Sequence, residues 1–233
     1  YDMDIMMDLV LNHSSNYHKW FGQSYNDYKN GNTSEGSKAD WYNWNDKNGC
    51  KYRDLFYEGS FNASMPDLNP DSPSLRVEIE KILKFWIEKG VKGFRLDAVT
   101  YYYSNNVPKN DAFLTWLNET AHKYNPDIYM VGEAWTNDVI IQSYYANNGK
   151  TTIDSFFNFG SAAGSTNISL SLINASKGLL KSKNFAEAVQ SYEAAVKKKN
   201  PKGYSSYFVS NHDQDRMSTY FTKEERAKDL GNK

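Results

Sequence analysis

Residues 91–99 read VKGFRLDAV, an apolar run that ends in charge, and three other stretches of the chain share its form. These are residues 4–12 (DIMMDLVLN), 127–135 (DIYMVGEAW) and 206–213 (SYFVSNHD). Each reads as a buried strand whose C-terminal end carries polar groups. Between the first two lies a predicted helix at residues 72–89. Pro73 suits its first turn, Leu75, Ile79, Ile82, Leu83 and Trp86 share one face, and Gly90 stops it. Two further helices are predicted. One covers residues 111–123, with a stripe of Phe113, Leu114 and Leu117 and a stop at Asn125–Pro126; the other covers residues 184–198, with Phe185, Ala188, Val189, Tyr192 and Val196 at helical spacing. A fifth strand is predicted at residues 152–159 (TIDSFFNF). Strand, helix, strand in repetition means parallel strands joined by crossover helices, so the fold class is α/β; an open doubly wound sheet and a closed barrel both satisfy the pattern.

Residues 14–71 break this rhythm. The stretch is rich in Tyr, Trp, Asn and Gly, shows no strong helical period, and is long for a loop inside a domain, which marks it as a functional insertion. Its Trp20, Phe21, Trp41, Tyr42, Trp44 and Phe56 are too many aromatics for a solvated loop and are expected to be at least half buried or to line a cleft. At 233 residues the chain can form one large domain or two small ones. Its 27 basic and 28 acidic residues show no like-charge block, which argues against a nucleic-acid partner. No apolar run approaches the ~18 residues of a membrane-spanning helix. Cys50 is the only cysteine, so neither an internal disulfide nor a cysteine-based zinc site is available. The 18 Tyr, 12 Phe and 6 Trp supply flat faces with polar edges, and such surfaces suit sugars.

Functional side chains of parallel α/β folds gather at the C-terminal ends of strands, where the connecting loops converge. Asn12 and His13, Arg95 and Asp97, Glu133, and His212 and Asp213 all fall there. Taken singly, each carboxylate reads as a helix cap or a surface ion pair. Three of them from three strands on one rim have no packing rationale. Crowded carboxylates repel, so one can hold a proton near neutral pH, and glycoside hydrolysis needs such a pair.

The spellings DLVLNH at 8–13, GFRLDAV at 93–99, GEAW at 132–135 and SNHDQDR at 210–216 resemble, in order and spacing, four signature segments of the α-amylase superfamily, glycoside hydrolase family 13. MPDLN at 65–69 resembles the segment that closes the family's small inserted domain. It is characteristic of a subgroup intermediate between oligo-1,6-glucosidases and neopullulanases. The resemblance implies a partial (β/α)8 TIM barrel with residues 1–13 as barrel strand 3, residues 14–71 as the inserted subdomain, and residues 72–233 as strands 4 to 7 with their helices. A complete barrel needs about 250 residues before insertions, so an internal fragment is expected.

Carried over, the resemblance implies that Asp97 is the nucleophile, Glu133 the general acid/base and Asp213 the third carboxylate. His13 and His212 would hydrogen-bond sugar hydroxyls. Local chemistry agrees. Arg95, two residues from Asp97, shares its face and favours the ionised carboxylate. Glu133 has no basic neighbour in sequence and is followed by Ala134 and Trp135, an apolar wall that would keep it protonated. Ala98 resembles enzymes that cut α-1,4 bonds, whereas relatives specific for α-1,6 bonds usually carry valine there. Asn12 matches a calcium-binding residue of many amylases, but the histidine that usually completes that site is replaced within Val99–Tyr101. The implied activity is a retaining α-glucan hydrolase acting on starch or malto-oligosaccharides, with structural Ca²⁺ as the only cofactor considered and no organic cofactor. The alternatives are a transglycosylase, an α-glucosidase or a neopullulanase of the same superfamily. A non-catalytic member resembling a transporter's heavy subunit is disfavoured by the presence of all three carboxylates.

Overall fold

Met6–Leu9 forms strand β1, and the apolar runs around it and its neighbours build a parallel sheet. The computed structural model describes residues 3–147, 149–159, 182–208 and 211–213, and the chain divides into two compact units, Tyr1–Glu133 and Ala134–Lys233. In the first unit β1 is followed by helix α1 (Lys19–Lys29), strands β2 (Trp44–Asn45), β3 (Cys50–Tyr52) and β4 (Leu55–Tyr57), helix α2 (Pro73–Glu88), strand β5 (Gly93–Leu96), helix α3 (Val107–His122) and strand β6 (Tyr129–Gly132). Strand β5 lies between β1 and β6, parallel to both, in a register that aligns Asp8 with Arg95 and Arg95 with Val131. The predicted α/β pattern is therefore present, with Phe94, Leu96, Met130 and Val131 forming the buried sheet.

Helix α2 begins where its sequence directs. The Ser72 hydroxyl accepts the Leu75 N–H (3.2 Å), Pro73 sits in the first turn, and Gly90 at φ +94° takes the left-handed conformation beyond the last turn. Leu75, Ile79, Leu83 and Ile87 are buried, whereas Ile82 and Trp86 lie at the edge of the buried stripe. Helix α3 starts four residues before the predicted position at Asp111. Asn106 caps it by accepting the Lys109 N–H (3.2 Å), and Pro108 occupies the first turn, so the capping signal preceded the apolar stripe.

The insertion contains a helix and a sheet that hydropathy periodicity did not disclose. Helix α1 buries only Phe21, Ser24 and Tyr25, a narrow face in an otherwise polar sequence. Ser24 occupies a core position because its hydroxyl accepts the Trp44 indole N–H (2.8 Å). Strands β2, β4 and β3 form an antiparallel sheet in that spatial order. Gly49 precedes β3 at φ +120°, where a Cβ would lie 2.4 Å from the Tyr57 carbonyl oxygen, so only glycine fits.

Phe21 is fully buried, with the rings of Trp44, Tyr52 and Tyr57 at 4.9 Å and that of Tyr42 at 5.2 Å. Trp41, Tyr42 and Trp44 are buried as well, and Trp20 and Phe56 are partly exposed. The aromatic content of residues 14–71 is thus largely core. Because five rings meet at Phe21, replacing it by alanine is expected to cost roughly 3–5 kcal/mol. Urea titration of the full-length protein followed by tryptophan fluorescence would measure this, and a loss below about 1 kcal/mol would show that the cluster is not cooperative.

The second unit contains helix α4 (Asp138–Ser143), a hairpin of strands β7 (Ala146–Asn147) and β8 (Lys150–Thr151), strand β9 (Ser155–Phe157), helix α5 (Ser182–Lys199) and strand β10 (Tyr204–Ser206). Strands β9 and β10 pair in parallel, and Tyr144, Tyr145, Phe156 and Val196 are fully buried. The strand predicted at residues 206–213 instead ends at Ser206. The chain extends directly after Gly203 through Tyr204 and two serines, and the Ser206 hydroxyl bonds that of Ser155 (2.6 Å); the apolar-run criterion overlooked this polar strand and marked the residues after it. Residues 209 and 210 of that prediction, and 210 and 214–216 of SNHDQDR, lie outside the described residues, as does the side chain of Phe185. Among the described residues, no helix is long and apolar enough to cross a membrane.

Candidate active site

The parallel ladders continue one step beyond the strand ends and fix the carboxylates. The Glu133 N–H donates to the Leu96 carbonyl (2.9 Å), and the Val99 N–H donates to that of Glu133 (3.1 Å). Asp97 and Glu133 thus each occupy the first position past a strand, on adjacent strands. Between them Ala98 adopts φ +47°, a left-handed backbone that costs an L-residue about 1–2 kcal/mol and turns the chain sharply after Asp97.

Arg95 organises the site. Its Nη1 donates to Asp97 Oδ1 (2.7 Å) and to both oxygens of Asp8 (2.8 and 3.0 Å), and its Nη2 donates to Glu133 Oε2 (2.5 Å). One guanidinium therefore spans three carboxyls, one on β1 and one just past the end of each of β5 and β6. Its own side chain is 12% exposed, Glu133's 9%, Asp97's 20% and Asp8's 58%. The same-face reading of Arg95 and Asp97 is confirmed by their contact. Glu133 has no basic neighbour in sequence, but the β5–β6 register brings Arg95 to it across the sheet.

Burial is the main cause that raises the Glu133 pKa above the usual carboxylate range; the Asp97 charge and an Asp97–Glu133 hydrogen bond raise it further, and Arg95 opposes them. The site thus gathers two neighbouring carboxyls on one guanidinium, and burial favours the neutral form of Glu133.

His13 is partly buried, its ring edge-on to Phe61 at 5.4 Å, and it forms an isolated antiparallel bridge with Asp67. In the second unit the His212 Nε2 stands 3.2 Å from Asp213 Oδ2, and the Asp213 N–H donates to Asn211 Oδ1 (3.1 Å); the His212 and Asp213 side chains are 72% and 49% exposed. Two participants escaped the sequence reading. Asp8 was visible within DLVLNH, but its link to Arg95 depends on strand register. Tyr102 is buried with no hydrogen-bond partner for its hydroxyl among the described residues, and burial together with the charges of Asp97 and Asp8 pushes its ionisation up.

Asn12 was matched to a calcium ligand. Its Oδ1 and that of Asp67 are buried without hydrogen-bond partners among the described residues, and the two segments adjoin through the Leu68 N–H, which donates to the Asn12 carbonyl (2.9 Å). These are suitable hard donors, yet calcium takes about six to eight oxygens. Among the described residues no group of three or more Asp, Glu, His or Cys is placed to hold a metal ion, and Asn12 and Asp67 by themselves fall short of such a shell.

A parallel sheet bearing an inserted antiparallel sheet after its first strand, with functional carboxyls just past the strand ends, defines a protein of the (β/α)8-barrel class, here a part of one. Within that class the chain belongs to the α-amylase catalytic-domain family, glycoside hydrolase family 13, whose members act on glycosidic bonds; the family model "Alpha amylase, catalytic domain" matches residues 1–232. The chain is 34% identical over 230 residues to Alpha-amylase 3 of Dictyoglomus thermophilum, covering 94% of this chain and 42% of that protein. It is 26% identical over 253 residues to an oligo-1,6-glucosidase of Parageobacillus thermoglucosidasius, covering 93% and 43%. Amy13B of Eubacterium rectale superposes with a TM-score of 0.85 at 33% identity, over 97% of this chain and 45% of that one. The chain therefore spans less than half the length of these relatives.

Proposed function

We propose that this chain carries the nucleophile and the acid/base of a retaining α-glucan hydrolase that cleaves α-1,4-glucosidic bonds in starch or maltodextrins. The observation that carries the reading is that Asp97 and the buried Glu133, each just past the end of adjacent strands, both accept from one guanidinium. Two carboxyls gathered on one guanidinium are close neighbours, as the roughly 5–5.5 Å separation of a retaining pair requires, in contrast to the roughly 6.5–9.5 Å that lets water between an inverting pair. That proximity supports double displacement.

In the first step Glu133 donates its proton to the glycosidic oxygen while Asp97 attacks the anomeric carbon. The C–O bond to the leaving sugar breaks, a glucosyl–Asp97 ester forms, and the displaced glucan leaves with the proton. In the second step the Glu133 carboxylate takes a proton from water as its oxygen attacks the same carbon, which releases the sugar with its original anomeric configuration and regenerates both groups. Arg95 holds Asp97 in place through its Nη1 and limits the rise in the Glu133 pKa. Asp213 is assigned as the third carboxylate, gripping hydroxyls, and His13 and His212 as further hydroxyl ligands. Ala98 favours α-1,4 cleavage, and MPDLN resembles the intermediate subgroup. With the full-length protein, proton NMR of the first minutes of maltotriose hydrolysis should show α-configured product ahead of mutarotation. Initial release of the β-anomer would overturn the mechanism.

Arg95 gives a pH prediction. The general acid works while protonated, so activity falls as pH rises through the Glu133 pKa. Removing the cation that lowers this pKa must raise it. Arg95→Met should therefore shift the alkaline limb of kcat to higher pH while lowering kcat itself by about 10²–10³-fold, the usual cost of losing one aligned electrostatic partner. An alkaline limb that stays in place would detach Glu133 from that role.

A further inference from the structure

A second cavity of about 490 Å³ lies on the flank of the first unit, lined by α1, residues 35–41 and α2, and it shares no residue with the carboxylate site. Its volume falls in the range of small-molecule sites. Its floor is rigid. Trp41 is 4% exposed, its indole N–H donates to the Ser74 hydroxyl (2.7 Å), and the Lys38 ammonium lies 4.6 Å from the ring centroid. Trp20, edge-on to Trp41 at 4.9 Å and only partly buried, gives the cavity an aromatic wall.

The polar lining decides what such a cavity would hold. Lys81 is paired with Glu78 (3.3 Å), whereas the side chains of Lys19, Gln23 and Glu35 enter no hydrogen bond or ion pair among the described residues. A cation, an amide and a carboxylate left open around one aromatic wall supply donors and acceptors without a dominant charge. A phosphate would meet Glu35, and an organic cation would meet Lys19. A neutral polyhydroxylated ligand satisfies both, with its C–H face on the indole and its hydroxyls between the polar groups.

We propose that this cavity is a non-catalytic sugar-binding site that holds an α-glucan chain on the flank of the protein. The choice of α-glucan over other neutral sugars rests on the proposed activity.

The test uses the full-length protein in an Asp97→Asn background, so that the polymer is not digested, and measures retardation in native gels containing amylopectin. Binding at the carboxylate site is common to all variants, and the ratio between them reports the cavity. Trp20→Ala should weaken binding about five- to tenfold, as expected for one aromatic–sugar stacking contact, and Trp20→Phe should restore part of it. Should Trp20→Ala fail to fold by circular dichroism, the exposed pair Gln23→Ala and Glu35→Ala decides and should weaken binding severalfold. Unchanged retardation in the folded variants, or no retardation of the parent, would overturn the site. Turnover of the unmutated protein on maltotriose is measured separately. A protein inactive on maltotriose but retarded through Trp20 refutes the proposed activity and supports the site.

Discussion

Asp97→Asn in the full-length protein is expected to fold, to bind starch and to turn it over roughly 10⁴–10⁶-fold more slowly, the range seen when a nucleophile is deleted from a concerted site. The substitution is isosteric. It removes the attacking oxygen's charge while the amide oxygen can still accept from Arg95 Nη1. Arg95 is not orphaned, because Asp8 (2.8 and 3.0 Å) and Glu133 (2.5 Å) remain on it. A buried cation stripped of every partner would destabilise the fold by several kcal/mol; one that keeps two of three carboxylates should not. Thermal unfolding of the variant should therefore stay within a few degrees of the parent. A loss of activity accompanied by a collapse of stability would mean that Asp97 is structural. Activity within tenfold of the parent would remove it from the nucleophile's role.

How much of this was legible in the sequence follows from where each interaction sits along the chain. The parallel core of the first unit was readable because an apolar run ending in charge leaves few alternatives, and because Ser72, Pro73 and Gly90 punctuate α2 at both ends. Arg95 and Asp97 were readable as a pair because residues two apart on one strand share a face. The grip of Arg95 on Glu133 and Asp8 was not, since it depends on a register linking residues 38 and 87 positions away in sequence. Helix α1 was hidden for a different reason. It packs through aromatic edges and one serine hydroxyl, so its buried face carries little hydropathy contrast. Strand β10 was hidden by its serines. Hydropathy finds elements that bury hydrocarbon and misses those that bury hydrogen bonds.

Glu133→Gln should separate the two chemical steps. The amide cannot donate a carboxylic proton, so a poor leaving group such as the sugar alkoxide of maltotriose should be displaced about 10²–10⁴-fold more slowly, the usual worth of a positioned general acid. A leaving group that needs no proton escapes this loss. Activity on α-glucosyl fluoride should therefore persist at the first step, where Asp97 still attacks. Hydrolysis of the ester would then be slow, because the base that activates water is gone as well. Azide, already an anion, needs no base, and it should accelerate turnover of Glu133→Gln on the fluoride and yield the α-configured glucosyl azide after two inversions. The neighbours support a clean test. Glutamine preserves the volume of a side chain that is 9% exposed, and its oxygen can still accept from Arg95 Nη2. For Asp97→Asn, by contrast, azide can act only in place of the missing nucleophile, giving a single inversion and a β-configured product. Rescue of Asp97→Asn with retention, together with no effect of azide on Glu133→Gln, would show that the two roles are exchanged. The carboxyl whose pKa burial raises would then belong to a nucleophile, contrary to the electrostatics of the pair.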